Sequence, residues 1–295
     1  MSKFINPFTD VGFKRIFGQE VSKPVLITFL NALLEGERHI VDLQLLDKDQ
    51  PGESADDRSL IYDIYCTTDS GERIIVEMQN RYQSFFKNRS IYYVARAISR
   101  QGEPGLSWNY GDVKAVYLVA FLNFKLTDIS SDFRTDVALM DLQRKVPFSD
   151  KVRLVFLQLP YFTKEVDDCE TTFEKIIYVL KHMDVLKRMP WMAQEAVFQK
   201  LASIADVASL SKQERIVYDE NLRRYRDTVA VMEGQWELGH AKGIEKGRKE
   251  GMEKGRKEGR KEGMEDVARK LKTKGFDLAV IMDATGLTEA QIAAL

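Results

Sequence analysis

The chain has 295 residues, 44% hydrophobic and 30% charged, with a net charge of −1. That length suits one main domain plus a smaller module, and the charge excludes a global basic field that would draw the whole surface to nucleic acid. Two cysteines, Cys66 and Cys169, exclude a disulfide framework and a cysteine-rich zinc cluster, and read as buried thiols in a reducing compartment. The first residues carry no signal-peptide apolar core. The longest apolar run, Val116 to Leu122, is too short to cross a bilayer, so a cytoplasmic protein with no membrane partner is expected.

In chain order, Thr9 or Asp10 is a natural helix N-cap, and Phe13, Ile16 and Phe17 then share one helical face. A second helix is predicted from Lys23 to Leu34, ending near Gly36, and a strand at Val41, Leu43 and Leu45. Asp47 to Ser59 reads as a polar loop. A β-hairpin, a helix from Phe85 to Arg100, and strands at Val113 to Phe124 and Arg153 to Leu159 follow. Helix, three strands, helix and two strands make an α/β or α+β layer.

Beyond Thr171 the pattern turns helical, with segments around Ile176–Leu180, Phe198–Ala205 and Lys212–Met232. Between residues 239 and 263, glycine recurs every fourth position among Lys, Arg and Glu. Each glycine costs a helix about 1 kcal/mol against alanine, while the pairs Glu245/Lys249, Glu250/Lys254 and Glu253/Lys257 return only about 0.2–0.5 kcal/mol each. A frayed helix or flexible tether is therefore expected. Nine basic and six acidic residues between Gly239 and Glu265 make it mildly basic. It reads as a solvated spacer, as an aid to holding DNA, or as a close-packing stripe for a homo-oligomer. Residues 266–295 regain order as small helices. Ile281 to Ile292 resembles a resolvase-type helix-turn-helix, yet Thr288 to Leu295 carries no Arg or Lys to meet DNA. The boundaries expected are 1–165 for the core, 166–238 for a helical extension, 239–265 for the repeat and 266–295 for the terminal module.

Two residues of the hairpin carry most of the functional signal. Asp63 lies in Leu60-Ile-Tyr-Asp-Ile-Tyr-Cys-Thr-Thr68 and Glu77 in Glu72-Arg-Ile-Ile-Val-Glu-Met-Gln79. A carboxylate within a β-branched, aromatic run is costly unless neutralised. If Asp69-Ser70-Gly71 is a three-residue loop with Gly71 left-handed, Thr68 pairs with Glu72 and Asp63 stands opposite Glu77. Their β-carbons would then lie roughly 4.5–5.5 Å apart on one face, with Gln79 on the same face. A two-residue loop would put the carboxylates on opposite faces, and an edge strand with a solvated polar face is the plain alternative. Two facing carboxylates can hold Mg²⁺ or Mn²⁺ with positions left for water and a phosphate oxygen.

A pattern of Asp, hairpin and Glu-x-Gln within these elements resembles the PD-(D/E)xK nuclease superfamily. Asn6-Pro-Phe-Thr-Asp-Val-Gly-Phe-Lys-Arg-Ile-Phe-Gly18, Val76-Glu-Met-Gln79 and Arg89-Ser-Ile-Tyr-Tyr-Val94 are similar to the recombination-promoting nucleases, also labelled PD-(D/E)xK nuclease family transposases. The resemblance implies a restriction-endonuclease-like mixed sheet flanked by helices. It also implies metal-dependent DNA endonuclease activity and a part in recombination, mobile elements or phage defence. Carried over, Asp63 and Glu77 match the metal carboxylates, and Gln79 stands where the superfamily usually has Lys. No Pro precedes Asp63, and Gln79 orients water by hydrogen bonds rather than by charge. Asp10 reads equally as an N-cap or as a further metal carboxylate, and Lys14 as a phosphate contact or a surface lysine.

The helix after the hairpin adds a nucleic-acid signal. Five basic and no acidic residues lie between Asn80 and Gly102. Arg89, Tyr93, Arg96 and Arg100 share one face, which would contact phosphates in a sequence-independent way. Ile91, Ala95 and Ile98 are then expected toward the sheet. Alternatively, Arg89 and Tyr93 brace the acidic pair. The alternative to an enzyme is a weakened nuclease fold serving as a DNA-binding or assembly module.

Overall fold

A computed structural model describes residues 2–50, 60–102, 108–126 and 130–295. Most of the expected polar loop, residues 51–59, lies outside the described residues. The first unit, residues 1–225, is built on a six-stranded mixed sheet. Its strands are β1 (Leu43–Leu45), β4 (Ile64–Thr68), β5 (Arg73–Gln79), β6 (Val116–Leu122), β7 (Arg134–Asp141) and β8 (Val146–Gln158), in the order β1-β4-β5-β6-β8-β7. β4 runs antiparallel to β1 and β5, β5, β6 and β8 are mutually parallel neighbours, and β7 returns antiparallel to β8. β2 (Asp49–Gln50) and β3 (Leu60–Ile61) form a separate two-stranded ribbon.

Helices cover both faces, as a parallel sheet centre requires. On one face α1 (Asp10–Phe17), α2 (Lys23–Leu33), α4 (Thr172–His182) and α5 (Ala196–Ala205) share a core with Ile64, Cys66, Val76, Val119 and Val155. The rings of Phe13, Phe17 and Phe29 all pack on Phe121. On the other face α3 (Phe86–Ser99) packs Phe86, Tyr93, Val94 and Ala97 over Tyr65, Ile75, Leu118 and Phe156. The segment expected as an extension beyond residue 165 is thus part of the main core. Ile177, Leu180, Phe198 and Leu201 are fully buried in it.

Three elements depart from the sequence reading. β7 was not expected. Its solvent-exposed run, Asp136 to Met140, has no alternation of buried and exposed positions to announce a strand. With β7 come a longer β8 and a projecting β7–β8 ribbon. α6 (Lys212–Thr273) runs unbroken through the glycine repeat instead of fraying. Apart from His240 and Ile244, the non-glycine fillers there are Ala, Lys, Arg, Glu and Met, all strong helix formers. Ion pairs run in both directions, Glu245–Lys249 and Glu253–Lys257 but also Lys246–Glu250, Lys254–Glu258 and Lys261–Glu265. Helix before the repeat is anchored by Tyr218 in the core, so the repeat propagates a helix already nucleated. The third departure is the orientation of α3, taken up with the site.

The second unit, residues 226–295, holds the rest of α6 with α7 (Leu278–Thr285) and α8 (Glu289–Ala293). Ala268, Ile281, Leu287 and Ile292 form its small core, and Thr288 caps α8. Among the described residues no helix is long and apolar enough to cross a membrane.

Candidate active site

The motif at the start of the chain fastens α1 beside the hairpin. Buried Asn6 takes the Tyr218 hydroxyl as acceptor for its backbone N–H (2.8 Å), while its side-chain carbonyl accepts from Phe8 N–H (2.8 Å). Thr9, not Asp10, is the N-cap, its hydroxyl accepting from Gly12 N–H at 3.0 Å. A β-carbon at Gly12 would stand 2.1 Å from the Asn6 carbonyl oxygen, so only glycine fits. At the other end of the motif, Asn80 Nδ2, just past β5, donates to the Phe8 carbonyl at 2.6 Å.

The hairpin has the register expected. Gly71 is left-handed (φ 88°), and Gly71 N–H donates to Thr68 O and Thr68 N–H to Glu72 O, each at 2.9 Å. Ile64 then pairs with Val76, and one more step sets Asp63 opposite Glu77. Here the ladder ends. Tyr62 N–H turns away to Lys48 O (3.0 Å), and the Asp63 carboxylate accepts from Met78 N–H at 2.8 Å. In return, Glu77 Oε1 accepts from Asp63 N–H at 3.1 Å. Each carboxylate is therefore held by the other strand's backbone at a break in pairing, a common device where a sheet must aim a side chain.

Glu77 is 3% exposed. Three donors partly offset its burial: Asp63 N–H, Gln79 Nε2 at 3.3 Å, and Arg89 Nη2 at 3.8 Å. Burial, then the neighbouring Asp63 charge, still push Glu77 up to about 8. Burial also raises Asp63, against Met78 N–H and the charges of Lys14 and Arg89. Two acids held above their ordinary range, with hydrogen-bond donors but too little positive charge, are a donor set suited to a hard divalent cation.

Asp10 lies within electrostatic reach of Asp63 but is hydrogen-bonded to Lys14. Among the described residues no three His, Cys, Asp or Glu side chains converge as a metal cluster. Lys14 is the ammonium acting on Asp63. Burial works against its charge, yet the hydrogen bond and charge of Asp10 prevail and hold it above the usual lysine value. It is therefore a fixed positive charge and not a base. Lys48, unmarked in the sequence reading, stands beside Lys14. Its place in the short connection between β1 and β2, read in the sequence as polar loop, gave no signal.

A sequence model of the PD-(D/E)XK nuclease family transposases matches residues 7–235. The chain belongs to this family. No curated protein and no solved structure matches it. The family's mixed sheet flanked by helices is the fold described above.

For this nuclease-family chain, the expected basic stripe on α3 needs correction. Ile91 is 61% exposed and Ala95 is exposed, whereas Tyr93 is only 9% exposed, and Ile98 alone of the expected apolar trio packs partly against the sheet. The buried stripe is Phe86, Ser90, Tyr93, Val94 and Ala97. Arg89 follows it inward, its guanidinium 5.4 Å from the Tyr93 ring centre and paired with Glu77. Arg100 donates to Gln50, and Arg96 is half-buried. Arg89 thus lies between the Tyr93 ring and Glu77, on the inner side of α3.

Proposed function

We propose that this protein is a DNA endonuclease that hydrolyses phosphodiester bonds with Mg²⁺ or Mn²⁺ held by Asp63 and Glu77. The observation that carries the reading is a buried and a half-buried carboxylate on opposed hairpin positions, kept above their ordinary range by burial. A divalent cation bound there supplies an acidified water and charge stabilisation at phosphorus. The chain's own residues do the rest. Gln79 Nε2 already donates to Glu77 and lies on its face, so its amide orients a water beside the phosphate. Lys14, kept protonated, supplies the positive charge that Gln79 lacks at the customary lysine position. Arg89 fixes the Glu77 carboxylate from behind. Family membership supports DNA as the substrate and a part in recombination or mobile-element biology.

One observation favours a second reading, a weakened fold that binds DNA without cutting it. Gln79 carries no charge, so the cation would bear more of the work. Plasmid nicking separates the two. The endonuclease reading expects nicking that needs Mg²⁺ or Mn²⁺ and is lost in both Asp63→Ala and Glu77→Ala. Retention of DNA without cleavage in any divalent metal contradicts it.

A further inference from the structure

Beside the acidic pair, on the α3 side, lies a cavity of about 580 Å³. Ile61 of β3, Phe85 just before α3 and Tyr92 on α3 line it and are exposed, at 61%, 57% and 44%. Gln83 and Asn88 add two side-chain amides, and no carboxylate lines it among the described residues. Arg89 lines it and connects it to the candidate active site, through Gln83 Oε1 (2.9 Å) on one side and Glu77 (3.8 Å) on the other.

These features select one kind of occupant. Arg89 is the single cationic lining residue described, and its charge is already committed to Glu77, so the cavity is poorly built for a phosphate. Exposed rings beside amides suit a flat heteroaromatic group with a polar edge. Gln83, its carbonyl engaged by Arg89, keeps its NH₂ to donate, and Asn88 can donate and accept. We propose that the cavity takes an unpaired nucleobase of the strand being cut, stacked on Phe85 and Tyr92 with its edge met by Gln83 and Asn88. This rests on the nuclease reading and deepens it. A base within a duplex has its faces stacked and its edge paired, so only a single-stranded, mismatched or extruded base can enter. The substrate class is then DNA with an unpaired nucleotide next to the scissile phosphate, rather than continuous duplex.

The test uses the full-length chain as Asp63→Asn, in metal-free buffer, with a single-stranded oligonucleotide carrying 2-aminopurine and its duplex. The proposal expects tighter binding of the single strand and quenching of the probe on stacking. Adding Tyr92→Ala is expected to weaken single-strand binding by about fivefold to a hundredfold, with duplex binding unchanged. Should that variant not fold, Asn88→Ala, at an exposed helix position, is expected to alter base preference at an unchanged melting temperature. Equal losses on both DNAs, or an unquenched probe, would overturn the proposal. An unquenched probe would leave the cavity to an apolar side chain of a protein partner. Parallel plasmid nicking by the wild-type chain separates the two failures. Cleavage with a silent probe removes only this inference, and a quenched probe without cleavage removes the nuclease reading while the base site stands.

Discussion

The end of the β4–β5 hairpin and the glycine repeat of α6 use the same charged chemistry to opposite effect. At the hairpin, Glu77 is buried and Asp63 half-buried, and this burial holds both acids above their ordinary range. Along residues 239–263 every position is exposed, ion pairs are solvated, and no β-carbon placed on a glycine would touch anything. Burial, not charge density, makes a carboxylate useful for chemistry. A solvated pair is worth about 0.2–0.5 kcal/mol, whereas a buried acid without its cation destabilises the fold.

The largest expected effect follows from that contrast. Glu77→Gln should abolish nicking and yet stabilise the metal-free protein at pH 8, on the order of a few kcal/mol, read as a rise in melting temperature. Loss of stability on this substitution would mean that the acid is already compensated.

The pH dependence comes next. Both acids bind protons more tightly in the folded chain, so their contribution is fully present below the ordinary carboxylate value. It is lost as pH rises through about 8, where Glu77 ionises. Metal-free protein should therefore melt progressively lower from about pH 4.5 to 8.5, and Mn²⁺ should raise the melting temperature most at the upper end. A flat profile in both conditions would break the comparison from the hairpin side.

The repeat offers a smaller effect. Alanine at Gly243, Gly247, Gly251 and Gly255 should increase helical circular dichroism, each gaining up to about 1 kcal/mol of local helix stability, with the melting of the first unit unmoved. A drop in helicity would show that these glycines meet a partner. Smallest of all, deleting residues 239–295 should leave the core's melting temperature nearly unchanged, because the strands, α1 to α5 and Tyr218 are complete without them. A large drop would move the boundary.

How much of this the sequence disclosed depends on local cause. The facing of Asp63 and Glu77 was legible because one glycine in a three-residue loop sets the register of the whole hairpin. The α1 core face was legible from Phe13, Ile16 and Phe17. The orientation of α3 was not. Its buried stripe mixes Ser90 and Ala97 with aromatics, while exposed Ile91 looks like core, so counting arginines gave the wrong face. β7 was silent because it is exposed, and the helical repeat was misjudged because glycine cost is local while nucleation comes from the anchored helix before it.

The account stands on a cation site between two opposed acids. Anomalous diffraction from crystals soaked in Mn²⁺ at pH 8 tests it most directly. A peak bridging the Asp63 and Glu77 carboxylates, absent in the Asp63→Ala protein, is the expected result. Ordered carboxylates with no peak between them would contradict it.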